Sequence, residues 1–140
     1  MHPTKNPTRR ALLKGAGSLA ALAGVSAPAI VKGQADAIRI GHLTPRTGFL
    51  GPLGEYAVMA VQMAADEINA GGGVMGRKIE LLIEDSVNPQ TASAKAERFV
   101  ERDKVATIVG EISSASGLAI AQVVQRAKVL FINTGCNSDA

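Results

Sequence analysis

VATIVGEISSASGLAIAQVVQRAKVLFIN, residues 105–133, decides how this chain folds. It opens on a short β-branched run (105–110), crosses a hydroxyl-rich turn, continues as the amphipathic segment SGLAIAQVVQRA (116–127) and closes on a second apolar run, VLFIN (129–133). Strand, helix and strand in that order predict two parallel strands joined by a right-handed crossover. The turn holds three serines, Ser113, Ser114 and Ser116, where the strand hands over to the helix. They fit a helix cap, the nucleophile turn of a hydrolase, or a polar cradle for a small ligand. Capping uses one hydroxyl, and three are present.

The same alternation extends upstream. AIRIGHLT (37–44) is a β-branched run that stops at Pro45 in the turn-rich TPRTGFLGPLG. A helix is predicted from about Gly54 to Ala70, with Ala57, Val61, Ala64 and Ile68 as its buried stripe and the glycines of AGGGVMG as its end. KIELLIED (78–85) reads as the second strand. Asn88 followed by Pro89 predicts the start of the next helix, Asn as N-cap and Pro at the first helical position, with Ala92, Ala96, Phe99 and Val100 on its buried side. The resulting class is doubly wound α/β, a parallel sheet with helices on both faces. Ligands of such sheets lie at the carboxyl ends of the strands, here TPRTG, DSVN, EISSAS and TGCNSDA. At the third of these, the unpaired amides of a helix's first turn add partial positive charge to the hydroxyls, a combination suited to a carboxylate.

Composition narrows the function. The chain has 140 residues, 46% of them hydrophobic, enough for one domain with a core. Its formal charge of +3 is misleading, because five of the fifteen basic residues (Lys5, Arg9, Arg10, Lys14, Lys32) and no acidic residue lie in 1–35. The remainder carries ten basic against twelve acidic residues, which removes the support for nucleic-acid binding. Residues 1–35 have the form of an export signal peptide: a charged start, the weakly apolar GAGSLAALAGVSAPAIV, then small residues. TRRALLK (8–14) resembles the twin-arginine signal, with Thr8, Arg9, Arg10 and Lys14 in place and Leu12 where Phe is commoner. Cleavage is expected after Ala35, with Ala27-Pro28-Ala29 as the rival site. The apolar run is interrupted by four Gly or Pro residues and falls short of the roughly 20 residues of a spanning helix.

Enzyme and metal patterns fail. GGGVMGRK departs from a phosphate loop, since Arg77 takes the lysine position, no Ser or Thr follows Lys78, and the order is helix to strand. There is no G-x-S-x-G elbow and no G-x-G-x-x-G after the first strand. His2 and His42 are too sparse for a metal site, and His42 reads as a packed or rim residue. Glu84 and Asp85 are adjacent on a strand, so they point to opposite faces and do not form an acid/base pair. No cofactor is expected.

DEINAGGGVMGRKIEL, the step EDSVNP into the second helix, and VGEISSAS followed by VLFINTG together resemble the branched-chain amino-acid binding proteins of ABC importers, the type I periplasmic binding proteins. The resemblance covers residues 36–140. It implies two lobes that close over a small ligand (an amino acid, an amide or a related carboxylate) and deliver it to an inner-membrane ABC permease. By position it places Ser113 and above all Ser114 at the ligand's carboxylate. It places Gly135 and Asn137 at the carboxylate and ammonium, Asn137 standing where Thr is usual. Leu53 stands where an aromatic ring often lines the mouth. It also implies that 36–140 is an incomplete N-terminal lobe, and that Cys136, the single cysteine, either pairs with a cysteine of the missing part or is a partly buried free thiol. An exported α/β enzyme and a ligand-sensing domain of the same fold are the competing readings.

Overall fold

A computed structural model describes residues 36–138; the segment expected to be an export signal, with Arg9 and Arg10, lies outside the described residues. The elements are β1 (Ile38–Thr44), α1 (Gly51–Ala70), β2 (Ile79–Asp85), α2 (Pro89–Glu101), β3 (Thr107–Gly110), α3 (Ser114–Ala127) and β4 (Leu130–Asn133). The four strands form one parallel sheet in the order β2-β1-β3-β4. The predicted alternation therefore holds, and the strand order reverses beside β1, so the connections leave β1 and β3 in opposite directions. That reversal is the topological switch at which a crevice opens beyond the carboxyl ends.

Local chemistry accounts for most boundaries. Asn88 is the N-cap of α2, with extended backbone and Oδ1 accepting from Thr91 N at 2.9 Å, and Pro89 occupies the first helical position. α1 ends where glycines 72 and 73 take positive φ and Gly73 N bonds back to Ile68 O at 2.8 Å. Asn69, near the end of α1, then pairs with both backbone groups of Ile79: Oδ1 accepts from Ile79 N at 2.7 Å and Nδ2 donates to Ile79 O at 2.9 Å. One side chain thus sets where β2 begins.

Register and contacts separate the two faces of the sheet. Gly41 lies under the Phe99 ring of α2, so Gly41 and Leu43 face α2 and α3, whereas His42 and Thr44 face α1. The core is on the α2–α3 side: Leu43, Ala92, Ala96, Phe99, Ile108 and Ile120 are fully buried. α1 departs from the predicted stripe. Its buried residues are Gly51, Gly54, Val58 and Ala65; Ala57 and Val61 are half-buried, and Ala64 and Ile68 are exposed. The face is rotated by about one residue because the helix packs through its glycines, which a hydrophobicity pattern does not count. A Cβ at Gly54 would stand 1.7 Å from the Pro45 carbonyl oxygen, so only glycine permits this approach. The helix also starts three residues earlier than predicted, with Pro52 inside its first turn.

Candidate functional site

The loops 45–50, 86–88, 111–113 and 134–138 meet at the carboxyl edge of the sheet. Asp85, the last residue of β2, ties the first loop down: Oδ1 accepts from Arg46 N and Oδ2 from Thr47 Oγ1, each at 2.8 Å. Burial pushes the Asp85 carboxyl upward, but these two donors and the Lys95 and Arg46 cations outweigh it and hold the group below the usual carboxylate range. Glu84 points the other way, to Lys95 at 3.1 Å and to Arg98 of α2. The two carboxylates serve opposite faces, as strand alternation requires.

The serine turn is organised by the residue before it. Glu111 is fully buried with a left-handed backbone (φ 76°), and its Oε1 accepts from Ile112 N at 3.0 Å and Ser113 N at 2.9 Å. Ser113 sits at the N-cap of α3, yet its hydroxyl makes no capping bond. The first bond of the helix runs from Gly117 N to Ser113 O at 2.8 Å, so the amides of Ser114, Ala115 and Ser116 have no intrahelical carbonyl. Ser116 turns inward and is buried, whereas Ser113 and Ser114 are part-exposed at the edge.

The loop after β4 is shaped by Asn133, whose Oδ1 accepts from Gly135 N at 3.2 Å and Cys136 N at 2.9 Å. It then folds over the serine turn, and Asn137 N donates to Ser114 Oγ at 3.1 Å. Gly135 eases that overlap, because a Cβ there would crowd Glu111 O at 3.3 Å and Ile112 Cα at 3.4 Å. Of the four sequence-predicted residues, Ser114 and Asn137 are brought into direct contact, Ser113 lies beside them, and Gly135 is the spacer between loop and turn. The Asn137 contact is through its backbone. The Gly135 amide is already engaged within its own loop.

Cys136 is a free, partly buried thiol with Sγ 3.4 Å from Ser113 O and 3.7 Å from Glu111 O. Burial, then the Glu111 charge, pushes it above the usual thiol range. His42 is 2% exposed, with Nδ1 3.0 Å from Val109 O; desolvation lowers its pKa, as expected of a packed neutral imidazole. It lines an apolar groove with Ala57, Val61, Val109 and Ile112 that reaches Gly135. Leu53 is exposed on the first turn of α1, and Phe49, which sequence reasoning passed over, is 98% exposed at the tip of the first loop. Sequence reasoning also missed Glu111 and Asn133. Their roles depend on backbone turns, and the only signal was a polar residue closing one apolar strand and another directly following a second.

Chemically, the edge offers a hydroxyl, a set of helix N-terminal amides and a loop that closes over them. Such donors suit an anionic or amide head group. Among the described residues, Ser114 Oγ is paired with a backbone amide. Among the described residues, no group of three or more His, Cys, Asp or Glu side chains could hold a metal ion.

Comparison with known proteins identifies the family and the fold. Residues 37–140 match the family model described as periplasmic binding protein. The chain is 38% identical over 122 residues to the Leu/Ile/Val-binding protein homolog 7 of Brucella abortus, covering 87% of this chain and 29% of that protein. It superposes on the branched-chain amino-acid transporter substrate-binding protein LivJ of Streptococcus pneumoniae, in complex with isoleucine, with a TM-score of 0.72 and 30% identity, covering 74% of this chain and 30% of that one. A solute-binding protein of an ABC transporter from Rhodopseudomonas palustris, in complex with 3,4-dihydroxybenzoic acid, superposes with a TM-score of 0.66 and 26% identity over 72% of this chain and 27% of its own. The chain thus spans under a third of the length of these relatives. With its parallel α/β sheet and a family match over nearly all the described residues, the chain belongs to the periplasmic binding protein family.

Proposed function

We propose that the protein is an exported solute receptor that binds a small carboxylate or amide, an amino acid or an aromatic acid, and delivers it to an ABC import permease without chemical turnover. Residues 36–140 supply part of one lobe of the binding cleft, and Ser113, Ser114, Gly135 and Asn137 are its contacts to the head group. The observation that carries this reading is the hydrogen bond from Asn137 N to Ser114 Oγ, which joins the loops after β3 and β4 at the N-terminus of α3. While accepting that bond, the hydroxyl keeps its own hydrogen free to donate, and the helix amides beside it favour negative charge. The relatives include an isoleucine complex and a dihydroxybenzoate complex, and the two ligands share only the carboxylate. Residues 1–35 would direct export by the twin-arginine route, with Arg9 and Arg10 as the recognition pair and cleavage before Asp36.

Calorimetry of the intact protein with L-isoleucine and 3,4-dihydroxybenzoate tests the reading. One of the two should bind saturably, and Ser114→Ala should weaken it at least about tenfold, the loss expected for a hydrogen bond to a charged group. Undiminished binding by the variant, or consumption of the solute, would refute it. Export should stop when Arg9 and Arg10 are both replaced by lysine.

A further inference from the structure

Among the described residues, Glu111 is a buried carboxyl at the carboxyl edge that the binding reading leaves unused. It is fully buried at the start of the turn that carries Ser113 and Ser114. Oε1 occupies the Ile112 and Ser113 amides, donors that would otherwise be open to an incoming anion. Oε2 has no hydrogen-bond partner, and neither have the buried hydroxyls of Ser86 and Ser116. Ser86 lies close enough to favour a charged Glu111, yet its hydroxyl makes no hydrogen bond. The chain has therefore placed an acid of its own where a solute carboxylate would be expected.

We propose that Glu111 sets the specificity of this site: its carboxyl is an internal anion at the start of α3, so that a solute carboxylate binds at Ser114 only as Glu111 takes up a proton. This rests on the reading of Ser114 as a ligand contact. Two like charges at one desolvated site cannot both persist cheaply, and protonating one relieves the repulsion. The proton comes from solvent and bonds to Oε2, the oxygen with no partner. Oε1 keeps both amides.

The surroundings favour that state. Burial is the largest influence on Glu111 and raises its pKa; Ser86 and the two amides oppose it, and Asp85 at the end of β2 adds to it. Cys136, from the loop after β4, is pushed toward the neutral thiol, and His42 on β1 is held neutral. Lys95 of α2 is engaged with Glu84 and the Asp85 carbonyl. α3 brings Gly117 beside this side chain, where an added Cβ would lie 3.8 Å from Glu111 Cγ.

Binding that raises the pKa of Glu111 is strongest below its ligand-free value and weakens as pH rises through it. The loss reaches at most about tenfold per pH unit and levels off above the ligand-bound value. The test uses acetate, L-isoleucine and 3,4-dihydroxybenzoate with the intact protein from pH 5.5 to 8.5, together with carboxyl-carbon NMR of Glu111 in the unliganded state. Glu111 should titrate above the ordinary glutamate range. A bound carboxylate should show falling affinity and net proton uptake in wild type. Glu111→Gln, a neutral isostere, should show neither, and should bind more tightly than wild type at pH 8.5. The 3,4-dihydroxybenzamide should bind independently of pH in both wherever its catechol stays protonated and the probe neutral. An ordinary or lowered Glu111 titration, equal pH slopes in wild type and variant, or no carboxylate binding at pH 5.5 overturns the proposal. Wild-type affinity in Ser114→Ala alongside a pH slope abolished by Glu111→Gln instead refutes the placement of the ligand at Ser114 and leaves the role of Glu111 standing.

Discussion

Asp85→Ala should loosen the first ligand-edge loop without unfolding the sheet. The carboxylate accepts from Arg46 N and Thr47 Oγ1, both at 2.8 Å, and the variant removes both bonds while leaving the backbone bond from Lys95 Nζ to Asp85 O in place. A hydrogen bond to a charged group contributes on the order of 1.5–3 kcal/mol. Arg46 and Thr47 are exposed, so water replaces much of what is lost and the pair together should cost about 2 kcal/mol. That energy corresponds to roughly 30-fold faster hydrogen exchange at the Arg46 amide. Asp85→Asn retains one acceptor oxygen and should give a smaller acceleration. The pH dependence has a definite sign. The folded-state pKa of Asp85 is depressed, so its contribution is complete above the unfolded value of about 3.9 and is lost as pH falls through the folded value. The exchange ratio of variant to wild type should therefore be largest near neutrality and fall toward one in strong acid. Gly41, in β1 between β2 and β3, is the internal control. Equal exchange of Arg46 in wild type and Asp85→Ala at pH 7, or a ratio that does not change with pH, would show that Asp85 does not hold this loop.

Two further predictions concern packing around the site. Phe99→Ala empties the fully buried position against Gly41 and should cost about 3–5 kcal/mol by chemical denaturation; adding Gly41→Ala, whose methyl enters the vacated space, should recover part of that loss. Gly117→Ala places a Cβ 2.5 Å from Cys136 Sγ, which should push the 134–138 loop off the serine turn; Cys136→Ala should relieve it, read out by exchange of the Asn137 amide.

Local rules made much of this protein legible from its residues. The alternation of β-branched runs with amphipathic segments identified the parallel sheet, because side-chain burial on strands and helices has a period that the chain displays directly. Asn88-Pro89 announced α2, since a cap acts within four residues of itself. The serine turn and the loop after β4 stood out as polar segments following apolar strands, which is where doubly wound sheets keep their ligands. Tertiary structure decided what no local pattern encodes. The face that α1 buries was set by how closely Gly54 lets the helix approach Pro45, a distance between segments that hydrophobic periodicity does not measure. Glu111 looked like an ordinary residue at a strand end until its left-handed backbone turned the carboxyl under α3. Asn133 gained its role only when its loop folded back on itself, and Ser114 met Asn137, 23 positions away, only after the crossover laid β4 beside β3. Periodicity is written along one segment and can be read there; the aim of a buried carboxyl depends on backbone angles and neighbouring loops, which exist only once the segments have packed.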